Sequence, residues 1–285
     1  MLRLLIMTGC DSTVQQVKFF EGETQVSVHV SGFNISQSPL PSTRAAQPVA
    51  DYTTIGAVTL AFFDGENQVF QSTQIRSDAT TYTTFGDFSC TLPFGRYTVI
   101  AIARGLFNGD EFTLTSPTQA SYTSDRARET FVSSGTLDIS GSDAIEYDIT
   151  LQRVVAKLRV ISTDGRPSGI TKIRMTLAEG SRSFNPTTGY ATSNSGCSVI
   201  VNPTSAEGAV TNTSAFIFLT SDEQIMNVTV QTLDQDDNVI SSQTVADVPF
   251  KRNRETILTG PLYSATSTSN LQLDPSWLNP ATVSF

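Results

Sequence analysis

The sequence predicts an all-β protein, folded as two β-sandwich domains in tandem. Three observations carry this. Short apolar runs recur along the chain, and several alternate with polar residues at period two. Turn residues separate these runs at regular intervals. The composition is also that of strands and turns: 39% of the 285 residues are hydrophobic, enough for a packed core, and only 16% are charged. Ser, Thr, Gly and Asn fill the remainder.

The chain begins Met1-Leu2-Arg3-Leu4-Leu5-Ile6-Met7-Thr8-Gly9-Cys10. One positive charge, an apolar core and small residues before a cysteine resemble a bacterial lipoprotein signal. On this reading residues 1–10 are a signal peptide and the Cys10 thiol is lipidated, which tethers the protein to the outer membrane. The alternative is a buried N-terminal strand with a chance Gly-Cys pair. Nothing after Cys10 approaches the roughly 20 apolar residues of a membrane-spanning helix.

Gln25 to Val30 alternates strictly and predicts a half-buried strand. Residues 36–51 follow as an exposed linker with three prolines and no period. Ala57 to Phe63 predicts a strand, and Asp64-Gly65-Glu66-Asn67 turns it into Gln68-Val69-Phe70. Tyr97 to Ala103 is nearly continuous in apolar residues, as a central strand would be, and Glu146 to Leu151 alternates again. A short helix or a loop is expected around Ser124 to Phe131. The domain boundary falls at Gln152-Arg153, giving domains of residues 11–152 and 153–285. The second set of strands covers Val154 to Val160, Ile170 to Leu177, Cys197 to Val201, Ala215 to Leu219, Met226 to Leu233 and Val239 to Val245. It closes with Glu255 to Leu258.

The formal net charge is −9, which argues against a nucleic-acid partner. Three cysteines are present. With Cys10 lipidated, Cys90 and Cys197 remain in different domains, and two isolated thiols are expected rather than a disulfide. Neither they nor the single histidine has metal-site spacing. His29 lies opposite Val26, Val28 and Val30 on its strand and should point to solvent. No nucleophile elbow accompanies it. A P-loop and a dinucleotide fingerprint are absent too, so no cofactor is expected. Asp234 to Asn238 reads as a polar hairpin turn, lacking the later ligands of a calcium loop. No catalytic activity is expected.

Several segments together resemble the fimbrillin superfamily of Bacteroidales, the subunits of lipoprotein-derived (type V) pili, including its anchor and minor subunits. They are the Cys10 lipobox, Thr43-Arg44-Ala45, Leu92-Pro93-Phe94-Gly95-Arg96-Tyr97 and Arg153-Val154-Val155-Ala156-Lys157-Leu158. The last is Phe250 to Leu262, a basic-Asn-x-x-Thr-x-x-x-Gly-x-Leu pattern. The resemblance implies two transthyretin-like Greek-key β-sandwiches and a role in pilus assembly and adhesion at the cell surface. It implies assembly with other fimbrial subunits by strand addition: a protease cuts at Arg44, the strand Gln25 to Val30 leaves, and another subunit's C-terminal segment fills the groove. The donor candidate here is the tail 271–285, through Leu271, Leu273, Trp277, Leu278, Val283 and Phe285. The same tail would also serve as a terminal strand on its own domain, and Arg44 as an ordinary loop arginine. The chain is short for a stalk subunit, which favours a minor anchor or tip-like component. A main stalk pilin and a glycan-binding surface lipoprotein are the alternatives.

Overall fold

A computed structural model describes residues 22–34, 49–80, 82–106, 111–264 and 271–274. The first half of the chain supplies nine strands. They are β1 (Glu23–Asn34), β2 (Ala57–Asp64), β3 (Asn67–Ile75), β4 (Asp87–Pro93), β5 (Gly95–Arg104), β6 (Phe112–Ser116), β7 (Gln119–Tyr122), β8 (Thr130–Ile139) and β9 (Ile145–Arg153). Seven form one sheet in the order β3-β2-β5-β8-β9-β1-β4. Strands β8 and β9 meet only at Phe131↔Arg153 and Val132↔Gln152. The sheet folds over at this short seam, so that β3-β2-β5-β8 faces β9-β1-β4. One core lies between the layers, with Leu60 and Phe62 of β2, Val99 of β5 and Leu137 of β8 against Val28 of β1 and Leu151 of β9.

The second half supplies β10 (Val155–Ser162), β11 (Lys172–Leu177), β12 (Ser183–Phe184), β13 (Cys197–Val201), β14 (Asn212–Phe218), β15 (Glu223–Leu233), β16 (Val239–Lys251), β17 (Glu255–Gly260) and β18 (Gln272–Asp274). Two sheets, β14-β10-β17-β18 and β13-β11-β15-β16, enclose a second core. Leu158, Ile217 and Leu258 from one sheet pack with Met175, Val228 and Phe250 from the other.

Both halves share a third apolar cluster. Strand β2 is buried at every position from Ala57 to Phe63. Its Leu60 and Phe62 face the first core, while Ala61 and Phe63 face outwards. A strand apolar on both faces needs a cover on each. The outer cover is the small sheet β12-β7-β6 together with Val155 and Phe218. Strand β12, from the second half, pairs with β7 of the first, and Phe184 stacks on Phe218 at 4.2 Å. The Arg104 guanidinium lies 4.5 Å from the Phe112 ring centre in the same layer. The two sandwiches are therefore joined by an apolar interface and a shared sheet.

The turn after β2 forms as the sequence indicates, with Gly65 at φ 58°. Of the two alternatives for the segment around Ser124 to Phe131, the structure takes the loop and not the helix. It runs irregularly to Thr130, where β8 begins, and Ala127 makes an isolated bridge to Phe216. Tertiary pairing there outweighs weak local preference. Strand β16 extends past Val245 to Lys251 despite Pro249, because β15 pairs with it throughout. Strand β17 is also not the final strand, since β18 follows it at the sheet edge.

Candidate assembly site: the N-terminal strand in its groove

The alternation of β1 sets its role. Val26 and Val28 are fully buried and Val30 is 3% exposed, all three in the first core. The residues between them face outwards. His29 is among these, its side chain 42% exposed and its Nδ1 3.1 Å from Asp87 Oδ1. A surface pair of this kind contributes little. The pairing joins two strands of the sheet and offers His29 no nucleophile.

Strand β1 is a middle strand. It runs antiparallel to β4, from Glu23↔Pro93 to His29↔Asp87. On its other side it runs parallel to β9, from Val26↔Ile145 to Asn34↔Gln152, with a bulge between Val30 and Gly32. Further bonds hold its ends. The Phe94 N–H donates to Gly22 O at 3.0 Å, and the Val30 N–H to Gly86 O at 3.1 Å. Thr24 donates its hydroxyl to Gly141 O. Gly86 sits at φ 103° under Val49, where a Cβ would lie 2.4 Å from a Val49 methyl. Glycine is required there on both counts.

Without β1 the layer would consist of β9 and β4 with two open ladders between them and three valine-sized pockets below. That is a template for an incoming strand: main-chain bonds would supply affinity and alternate side chains the register.

At the other end of the chain, β18 pairs antiparallel with β17, as Leu258↔Leu273 and Thr259↔Gln272. Leu271 is 3% exposed in the second core, and its N–H donates to Gln243 Oε1 at 3.0 Å. Leu273 thus belongs to an edge strand of this chain's own second sandwich, and Leu271 just ahead of it fills that sandwich's core. Cys10, Arg44, Trp277, Leu278, Val283 and Phe285 lie outside the described residues.

The quoted sequence segments prove to be junction pieces. The Tyr97 hydroxyl donates to Pro93 O at 2.9 Å, fixing the β4–β5 turn that bonds to Gly22. The Arg153 and Phe250 segments touch each other. Arg153 donates to Asn253 Oδ1 at 3.0 Å, and the Asn253 N–H to Val155 O at 2.9 Å. Asn253 takes φ 58°, a conformation asparagine tolerates better than most residues. The Thr256 hydroxyl donates to Pro249 O at 2.8 Å across the same turn. The Asp234 carboxylate accepts from the Asp236 and Asn238 N–H groups at 2.9 Å each, which makes that loop a self-bonded turn. Cys90 and Cys197 are free thiols in different cores.

The family model for DUF6562, a family of unknown function, matches residues 20–284. The chain belongs to the DUF6562 family. No curated protein sequence matches it. Among solved structures, a candidate adhesin from Bacteroides ovatus is 11% identical, with a TM-score of 0.52 over 90% of this chain and 94% of the other. A candidate polysaccharide-binding protein of the DUF1812 group from Bacteroides thetaiotaomicron is 10% identical, with a TM-score of 0.50 over 85% and 92%. The fimbrial anchor protein Mfa2 from Porphyromonas gingivalis is 12% identical, with a TM-score of 0.49 over 88% and 95%. At such identities the likeness is one of fold. The candidate adhesin from Bacteroides ovatus is a protein of the kind that the sequence resemblance named.

Proposed function

We propose that this DUF6562 member is a lipoprotein-derived fimbrial subunit of the minor, anchor or tip-like kind. It is held at the outer membrane by lipid on Cys10, joins other subunits by β-strand exchange and supports cell adhesion. Its work is assembly rather than catalysis, and its two halves are transthyretin-like Greek-key sandwiches. The observation that carries the reading is the placement of β1. An N-terminal strand near the chain end sits between two partner strands, with alternate valines in the core, and the linker bearing Arg44 follows it. Release of that strand would open a groove whose unpaired ladders invite a foreign strand.

The test is an unheated detergent gel of envelope fractions from cells carrying wild type or Arg44→Ala. For an uncleaved anchor, both strains give one equal lipid-modified band, and Cys10→Ser abolishes the lipid. A ladder in wild type that disappears in Arg44→Ala would instead assign the chain to the cleaved stalk pilins. A soluble band without lipid in wild type would refute the anchor.

A further inference from the structure

A second site lies where the two sandwiches meet, away from the β1 groove. It is a cavity of about 450 Å³. This falls in the roughly 300–1,000 Å³ range of small-ligand sites. Its floor comes from the end of β9 and the start of β17, its walls from β10, β14 and the segment ahead of β2. Arg153 and Glu255 are largely shielded there, with side chains 9% and 12% exposed, while Lys157 at 37% and Arg159 at 33% open the cavity to solvent.

The charges in the cavity do not balance. Glu129 takes Arg153 at 2.6 Å, and Glu255 takes Lys157 at 2.7 Å and Arg159 at 3.6 Å. Arg254 makes no ion pair among the described residues. Four cations thus face two carboxylates in a chain whose net charge is −9. Arg153 carries a second excess. Its Nη atoms bond Glu129, the Tyr52 hydroxyl at 2.9 Å and Asn253 at 3.0 Å, but its buried Nε has no hydrogen-bond partner among the described residues. A buried donor of this kind costs about 1–3 kcal/mol when unsatisfied. Burial, and then Glu129, hold the Tyr52 hydroxyl above its ordinary pKa, so it stays neutral and donates to Glu129 Oε1 at 3.4 Å.

We infer that this cavity binds an acidic sugar, a polyhydroxylated ring bearing one carboxylate. The planar Arg254 guanidinium matches a carboxylate in two-point fashion. Glu255 and Glu129 then act as acceptors for ring hydroxyls. Those carboxylate oxygens keep lone pairs for hydroxyl donors, and a ring with several hydroxyls supplies more such donors than phosphate does. Phe216, in the cavity wall, offers an apolar face to the ring. The site stands apart from strand exchange, since none of its residues lies on β1, β4 or β18, and either reading survives failure of the other.

The experiment is calorimetric titration of the full chain with glucuronate, with glucose and inorganic phosphate as comparison ligands. Glucuronate binds, glucose binds at least about tenfold more weakly, and Arg254→Ala weakens glucuronate by about tenfold or more, the loss expected for a charge-assisted bond. Arg254→Lys retains part of the binding. The melting temperature of Arg254→Ala stays that of wild type, because its side chain makes no hydrogen bond or ion pair among the described residues. Absence of glucuronate binding, equal binding of glucose, tighter binding of phosphate, or indifference to Arg254→Ala each overturns the inference.

Discussion

Replacing the core valines of β1 should loosen the first sandwich in proportion to what they bury. Val26 and Val28 are fully buried, and Val30 is 3% exposed. Each Val→Ala change removes two methylene equivalents, worth about 0.8 kcal/mol apiece by transfer alone. The residual cavity brings the cost to roughly 2–3 kcal/mol per site. Val28→Ala alone should lower the melting temperature by about 5–10 °C, at roughly 2–4 °C per kcal/mol for a chain of this size. The triple change approaches 6–9 kcal/mol before coupling between neighbours, comparable to the ~5–15 kcal/mol that stabilises a whole domain. Hydrogen exchange read by mass spectrometry should then show β4 and β9 losing protection together, while β11 and β15 of the second sandwich keep theirs. The outward changes Ser27→Ala and His29→Ala should stay within about 0.5 kcal/mol of wild type. A synthetic peptide of residues 23–34 should restore protection in the triple variant, because it supplies the missing valines in the same register. A triple variant that melts with wild type and keeps β4 and β9 protected would refute the reasoning, since the strand would not be holding the layer together.

Two further outcomes follow from other parts of the structure. Phe184→Ala should cost about 3–5 kcal/mol, the usual toll for a fully buried aromatic, and convert one calorimetric transition into two as the sandwiches uncouple. A single sharp transition in that variant would show that the interface around Phe218 and Tyr122 does not couple them. The thiols should be inert. Burial pushes Cys90 up to about 11, and burial, with a smaller contribution from Asp125, pushes Cys197 up to about 12. Both are therefore protonated at pH 8, with thiolate fractions on the order of one in a thousand or less, and only the thiolate reacts. In a Cys10→Ser background a thiol reagent should label neither residue at pH 8 until denaturant is added, with labelling rising as pH approaches 11. Fast labelling of the native protein at pH 8 would contradict this.

Much of the strand order could be read directly. Val26, Val28 and Val30 alternate with polar residues because one face of β1 is core and the other is not, and such a period survives any tertiary context. Ala57 to Phe63 and Tyr97 to Ala103 lack that alternation because both faces are covered. Their residues signal burial without saying what does the burying. Strands β4, β6, β7, β8 and β12 were not read from the sequence; β6, β7 and β12 are five, four and two residues long and carry almost no period of their own. The seam between β8 and β9 is a pairing of residues about twenty apart with no local mark.

The junction cavity shows the same division. The sequence displays scattered cations, and its densest cluster, Lys251 to Arg254, is followed at once by Glu255, which reads as an ordinary mixed-charge surface. Only the parallel pairing of β10 with β17 brings Lys157, Arg159 and Glu255 together and leaves Arg254 over. The sequence by itself determined the all-β class and the N-terminal strand, because hydrophobic period and turn chemistry are local properties. The middle position of β1, the docking of Leu271 on its own sandwich and the interface around Phe184 were decided by the tertiary structure. Strand partners are chosen by long-range burial, and no stretch of the chain records its partner.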